Sequence, residues 1–247
     1  MGRDDRQALD LSQATSGSQG PGARNRLPFA VMLPRAIVSL LLTMAFFLLG
    51  HLVATSQPLR LDRWMAETMH ADTGNGWERI MRVVTEFGSG TVTVPLTLIV
   101  VGWLIREKRK QAATVIVVFW IGSKIIDQAA KAWYHRERPS FFPHVVDAGG
   151  YSYPSGHTVT ALMTYGLIAA VLFHCVRGPR RWIAFGLAAL MTLCVAASRI
   201  VLGVHYLSDV TGSMLIAGAW LQTAIIVLIW AEPCGDEQEK SGASTGV

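Results

Sequence analysis

Six long apolar runs dominate this chain and decide its solvent. Roughly 20 apolar residues cross the hydrocarbon core of a bilayer as an α-helix. Within lipid, only helices and closed barrels satisfy every backbone polar group. The runs fall at about 34–54, 89–105, 112–133, 155–176, 182–197 and 205–230. They predict an all-α fold, a six-transmembrane helical bundle. A 247-residue chain could by length be one soluble domain, but its hydrophobic residues, 51% of the total, are concentrated in these runs. The first run is longer than a signal-peptide core and five more follow it, so a retained helix is expected. Pro95 is tolerable inside the second span, because neighbouring helices can satisfy the carbonyl it frees.

The remaining segments are polar. Residues 1–33 read as a disordered tail, because the Ser-, Gly- and Gln-rich stretch to about Asn25 cannot bury enough apolar surface to fold alone. Residues 34–231 form the membrane domain, and 232–247 a second short tail. The segment 55–88 is not a span. Trp77, Ile80, Met81, Val84 and Phe87 recur at helical spacing on one face, with Arg79, Arg82 and Glu86 on the rest. This predicts a short interfacial helix or, equally, a linker helix packed on the bundle. The acids Asp62, Glu67, Asp72, Glu78 and Glu86 are scattered and read as solvated. No internal repeat is visible.

The formal net charge of +5 is explained by where the basic residues sit. Loops 106–110 and 177–181 and the N-terminal Arg24, Arg26 and Arg35 lie on one side if the spans alternate. The positive-inside rule makes that side cytoplasmic, with both termini. A cell-membrane protein with loops 55–88, 134–154 and 198–204 on the opposite face is expected. In a bacterium that face is periplasmic or extracellular; in a eukaryote, lumenal or extracellular. No basic stripe interleaved with aromatics suggests nucleic acid. Cys175, Cys194 and Cys234 show no paired or ligand spacing, so neither a disulfide nor zinc is inferred.

Charged residues at a membrane boundary are costly and hence functional candidates. Three clusters fall on the non-cytoplasmic side: Lys131 to Pro139, Pro154-Ser155-Gly156-His157, and Ser198-Arg199 with His205 and Asp209. Lys131, Arg138 and Arg199 supply positive charge, and guanidinium forks match phosphate oxygens. Ser155 and Gly156 stand where a helix begins, where free N–H groups favour an anion. Together these read as a phosphate cradle. His205 and Asp209 are four apart and would share a helix face. The carboxylate can hold the Nδ1 proton and leave Nε2 as nucleophile. His157 is placed to protonate the leaving oxygen and later to take a proton from water. One histidine neutral and the other protonated predicts a bell-shaped pH profile. Three fixed cations do the neutralising work, so no metal and no cofactor is called for.

Other polar residues carry weaker expectations. His51, His70 and His174 read as structural; His135 and His144 lie in the active-side loop, where either role is open. Arg136 reads equally as a second phosphate contact or a surface residue. Lys124 and Asp127, near Lys131 in the third span, read as a buried polar pairing and not as a catalytic set. Trp133, Tyr151 and Tyr153 suit the interfacial aromatic belt.

The three clusters, Lys131-x6-Arg138-Pro139, Pro154-Ser155-Gly156-His157 and Ser198-Arg199-x5-His205-x3-Asp209, resemble the three-part signature of the type 2 phosphatidic acid phosphatase (PAP2) superfamily. That superfamily embraces lipid phosphate phosphatases, bacterial acid phosphatases and vanadium haloperoxidases. The order and internal spacing match without substitution, and the six-span layout resembles the integral membrane lipid phosphatase branch. The resemblance implies phosphate binding by Lys131, Arg138, Ser155, Gly156 and Arg199. It also implies a general acid at His157, a nucleophile at His205 partnered by Asp209, no obligatory metal, and sensitivity to vanadate. It implies a phosphorylated membrane lipid as partner, with no obligatory protein partner. Candidates by analogy are phosphatidylglycerol phosphate, phosphatidic acid and a polyprenyl diphosphate such as undecaprenyl diphosphate, with the analogy leaning to the last. Two other functions fit the same residues: phosphotransfer to an acceptor lipid or sugar, and non-catalytic lipid binding.

Overall fold

A computed structural model describes residues 26–55, 59–71, 76–141, 146, 148–175 and 180–231. Eight helices occur among the described residues, and no strand. They are α1 (Arg26–Thr55), α2 (Arg60–Ala71), α3 (Trp77–Glu86), α4 (Gly90–Arg106), α5 (Lys110–Tyr134), α6 (Gly156–Cys175), α7 (Arg180–Val201) and α8 (Leu207–Ala231). The chain is an integral membrane protein by the length and composition of six candidate spans. The outward faces of these helices carry large exposed apolar side chains, such as Leu40, Phe47, Leu98, Ile125, Leu187 and Trp230. That distribution suits lipid as solvent.

The spans differ from expectation at their ends. α1 is helical from Arg26 and carries Pro34 inside it, so it starts eight residues before the expected boundary. Residues 1–25 and 232–247 of the expected tails lie outside the described residues. α7 continues to Val201, so Ser198 and Arg199 stand in its last turn, not in a loop. Segment 55–88 holds two helices where one was expected. Trp77–Arg106 is long and apolar enough to be read as a single span, but the chain turns at Phe87–Ser89 and α4 starts afresh at Gly90. α3 buries Met81 and Thr85 and exposes Trp77, Ile80, Val83 and Phe87. It is therefore both packed on the bundle, against α7, and apolar on its outer side.

α6 is the central helix, in contact with α4, α5, α7 and α8. The principal core lies between these elements. Val159, Met163, Leu167 and Val171 of α6 meet Ile116 and Phe119 of α5 and Ala217, Ala224 and Leu228 of α8. These α6 positions recur every four residues, as one helix face requires. Trp220 locks the layer by donating to the Phe119 carbonyl at 2.9 Å while tilting against the Phe119 ring. A second cluster joins Phe46 of α1 to Tyr134 and Tyr153. Tyr153 is fully buried and donates its hydroxyl proton to the Phe46 carbonyl at 3.1 Å. It belongs to the core, not to the aromatic belt expected for it; Trp133, 78% exposed, faces outward. The close fit requires Gly212 of α8, where any Cβ would overlap the Tyr153 ring.

Candidate active site

The C-terminal ends of α5 and α7 and the N-terminal ends of α6 and α8 converge at one end of the bundle, where Arg136, Arg199, His205 and Asp209 are buried. α5 stops at His135, a left-handed C-cap (φ 47°) whose N–H returns to the Lys131 carbonyl at 3.1 Å. Beyond it the chain is extended, and alternate side chains turn to one side. Arg136 and Arg138 point inward while Glu137 is exposed.

Arg138 reaches the short connection before α8. Its Nη1 donates to the Val204 carbonyl at 2.8 Å and lies 3.2 Å from Nε2 of His205. Its other nitrogens bond the carbonyls of Gly149 (2.8 Å) and Gly150 (3.1 Å). A guanidinium only donates, so Nε2 of His205 is the acceptor. The ring proton is then on Nδ1, which faces Oδ2 of Asp209 at 3.3 Å. Burial, with Arg199 and Arg138 acting in the same direction, holds the His205 pKa down at about 4, against the opposing pull of Asp209. The imidazole is neutral, with its lone pair on Nε2.

His205 and Asp209 do not share a helix face as the spacing predicts. α8 begins only at Leu207, and Asp209 lies in its first turn. Its carboxylate accepts the Tyr206 N–H at 2.9 Å, as an acid at the third helical position does when it reaches back to the residue before the helix. Oδ2 also accepts from the Ser152 hydroxyl, and Oδ1 from Arg136 Nη1 at 2.5 Å.

The start of α6 lies beside this group. The Ser155 N–H is not free: it donates to Ser213 Oγ at 2.7 Å, and the residue is fully buried. The first-turn N–H groups of Gly156 and His157 have no carbonyl four residues back within their helix, so they are the donors available to an anion. A Cβ at Gly156 would stand 3.0 Å from both Lys131 Nζ and Asp127 Oδ2. Lys131 is gripped by Asp127, at 2.7 and 2.6 Å from its two oxygens. Asp127 thus pairs with Lys131 and not, as expected, with Lys124, and it aims the ammonium at the helix start. Lys124 instead donates to the Thr160 hydroxyl.

Arg199 donates from Nη1 to Thr85 of α3 at 2.8 Å. Its Nε is buried with no acceptor among the described residues. A buried donor left unpaired is costly, and a bound anion would satisfy it. His157 is close enough to His205, Arg199 and Lys131 to feel their charge. Beside the site, Gln128, Lys131, Ala132, Arg138, Gly149, Gly150 and Tyr151 line a cavity of about 320 Å³.

Two residues read differently in the sequence. Asp62 is not solvated: it is 2% exposed and bonds Arg136 at 2.8 Å and the N–H of Ser208 at 2.8 Å. Arg136, fully buried between Asp62 and Asp209, is neither a surface residue nor exposed to a second phosphate. Of the loop histidines, His135 stacks edge-on against Tyr151, with centroids 4.5 Å apart. His144 lies outside the described residues.

Residues 112–232 match the model of the PAP2 superfamily. The matched residues, just under half of the chain, carry all three motifs. A stretch of 136 residues, 54% of the chain, is 29% identical to phosphatidylglycerophosphatase B of Bacillus subtilis (strain 168) and spans 66% of that relative's length, just under two thirds. The fold matches the crystal structure of a transmembrane PAP2-type phosphatidylglycerolphosphate phosphatase from Bacillus subtilis with a TM-score of 0.71. That match has 22% identity and covers 81% of this chain and 98% of the other. The crystal structure of Aquifex aeolicus LpxE matches with a TM-score of 0.52 and 20% identity, over 70% of this chain and 97% of the other.

Proposed function

We propose that the protein is a membrane lipid phosphatase acting through a phosphohistidine on the non-cytoplasmic face. The observation that carries this reading is His205, held neutral with Nε2 toward Arg138 and Nδ1 toward Asp209. It lies at the bundle end where Lys131, Arg199 and the first turn of α6 also converge. A phosphate would draw Arg138 onto its oxygens and uncover Nε2. The N–P bond forms as the P–O bond to the lipid breaks, and His157 protonates the departing oxygen. Water then attacks phosphorus, the N–P bond breaks, and His157 takes the proton. Lys131, Arg138, Arg199 and the N–H groups of Gly156 and His157 neutralise the equatorial oxygens. Ser155, whose N–H is engaged elsewhere, retains a hydroxyl proton to donate.

The relative named a phosphatidylglycerophosphatase makes phosphatidylglycerol phosphate the first lipid to test, ahead of the polyprenyl diphosphate that analogy alone favoured. Purified protein in detergent, with EDTA present, is assayed for phosphate release from phosphatidylglycerol phosphate, phosphatidic acid and undecaprenyl diphosphate. Release that survives EDTA and is lost in His205→Ala supports the reading, and the relative rates choose the substrate. A folded wild-type protein that releases phosphate from none of them rules hydrolysis out in favour of phosphotransfer or lipid binding.

A further inference from the structure

Behind the proposed nucleophile stands a second buried ionic group that none of the three motifs includes. Arg136 and Asp62 have no exposed side-chain surface to speak of, 0% and 1%, and Asp209 has 0%. Arg136 Nη2 donates to Asp62 Oδ2 at 2.8 Å, and Nη1 donates to Asp209 Oδ1 at 2.5 Å and to Ser208 Oγ at 2.7 Å. Asp62 closes the ring by accepting the Ser208 N–H at 2.8 Å and the Ser208 hydroxyl at 2.6 Å. The guanidinium carbon lies over the Tyr206 ring, 4.1 Å from its centroid. Asp62 comes from α2, Arg136 from the extended segment after α5, and Ser208 and Asp209 from the start of α8, so three separate segments fix one carboxylate.

We infer that Arg136 and Asp62 are positioning residues for the reaction: together they orient the Asp209 carboxylate and set the charge that His205 feels. The inference rests on the proposed role of His205 as nucleophile. Arg136 touches no substrate, because it is fully enclosed. Its fork fixes Oδ1 of Asp209 and thereby turns Oδ2 toward His205 Nδ1. Its positive charge alone would cancel the negative charge of Asp209. Asp62, on the opposite side of the fork, neutralises it, so Asp209 acts on the imidazole with its charge undiminished. Removing Asp62 therefore leaves His205 facing a more positive surround, and removing the Arg136 charge leaves it facing a more negative one. The two changes displace the protonation of His205 in opposite directions. A purely structural role gives no such opposition. The other charged or titratable groups facing this pair are Arg138, Arg199 and His157 around His205, and Tyr153 and Tyr206 around Asp209, with Glu137 beyond Tyr206. All remain in place in the variants below.

The test uses the full chain in detergent and a lipid phosphate that the wild type hydrolyses, with thermal unfolding as a check on folding. Wild type, His205→Ala, Arg136→Lys, Arg136→Met and Asp62→Asn are compared for kcat, KM and the acid limb of kcat/KM. In Arg136→Met, kcat falls about 10- to 100-fold, the scale of losing a group that orients an active side chain, while KM is unchanged. Its acid limb moves to higher pH. In Asp62→Asn the limb moves to lower pH. Arg136→Lys, which keeps the charge, keeps the limb of the wild type and recovers most of kcat. Should Arg136→Met fail to fold, a limb that moves to lower pH in Asp62→Asn and stays in place in Arg136→Lys still decides. An acid limb that stays put in Asp62→Asn, or that moves the same way in both charge-removing variants, overturns the inference. Full activity in His205→Ala overturns instead the reading on which it rests.

Discussion

Burial is the strongest influence on His205, and with Arg199 and Arg138 it brings the imidazole pKa to about 4 from an ordinary 6.5. The unfolded chain titrates this group at the ordinary value. Between the two values the unfolded chain binds a proton that the folded protein refuses, so folding is progressively disfavoured as pH falls through that window. The stability that His205 contributes by staying neutral is fully present above pH 6.5 and is lost toward pH 4. Thermal unfolding in detergent, followed from neutral to acid pH, will show this loss, and His205→Gln will flatten it. The same geometry explains which residues could be picked out from the sequence one by one. Lys131, Arg138, His157, Arg199, His205 and Asp209 announce themselves by type and spacing, and their side chains cluster at one end of the bundle. Asp62 does not, because its partners Arg136 and Ser208 lie 74 and 146 residues away and no local pattern links them. Arg136 left a faint trace: it stands two residues before Arg138 in a segment that proves to be extended, where alternate residues face the same way.

At the level of elements, the spans were readable from apolar length and their ends were not. The apolar period ends where charge begins, but charge at this end of the bundle is sheltered by protein. α7 therefore continues through Ser198, which bonds back to the Val195 carbonyl at 2.6 Å, and through Arg199, which is held by Thr85. The break between α3 and α4 falls at the boundary expected between segment 55–88 and the span 89–105. Gly88 lies close against His157 and Val195, with a Cβ there 2.9 Å from the His157 carbonyl. The contact of α8 with the segment before α6 is equally tight at Gly212. Gly212→Ala forces a methyl group into the Tyr153 ring, and overpacking of this kind costs about 1–3 kcal/mol. Thermal unfolding of the variant will be correspondingly lower than that of the wild type. An unchanged midpoint would mean that Tyr153 has room to move.

For the whole molecule, the expected orientation follows from the basic segment 106–110 and from Arg180 and Arg181, which stand at the opposite end of the helices from the convergent site. If the positive-inside rule applies, a membrane-impermeant thiol reagent applied to intact cells will label a cysteine placed at Glu137, which is exposed, and will not label one placed at Lys108. The reverse pattern would invert the protein and put the site in the cytoplasm. Six spans, α2 and α3 thus serve one end: α2 brings Asp62, α3 brings Thr85, and the bundle brings the histidines. The central claim, a covalent phosphate on His205, is tested most directly by rapid quenching of the enzyme with a lipid labelled in its phosphate. The account predicts protein-bound label that is lost in acid, survives alkali, as an N–P bond does, and is absent from His205→Ala. Phosphate release by the wild type with no bound label at any quench time, or equal label on His205→Ala, would contradict it.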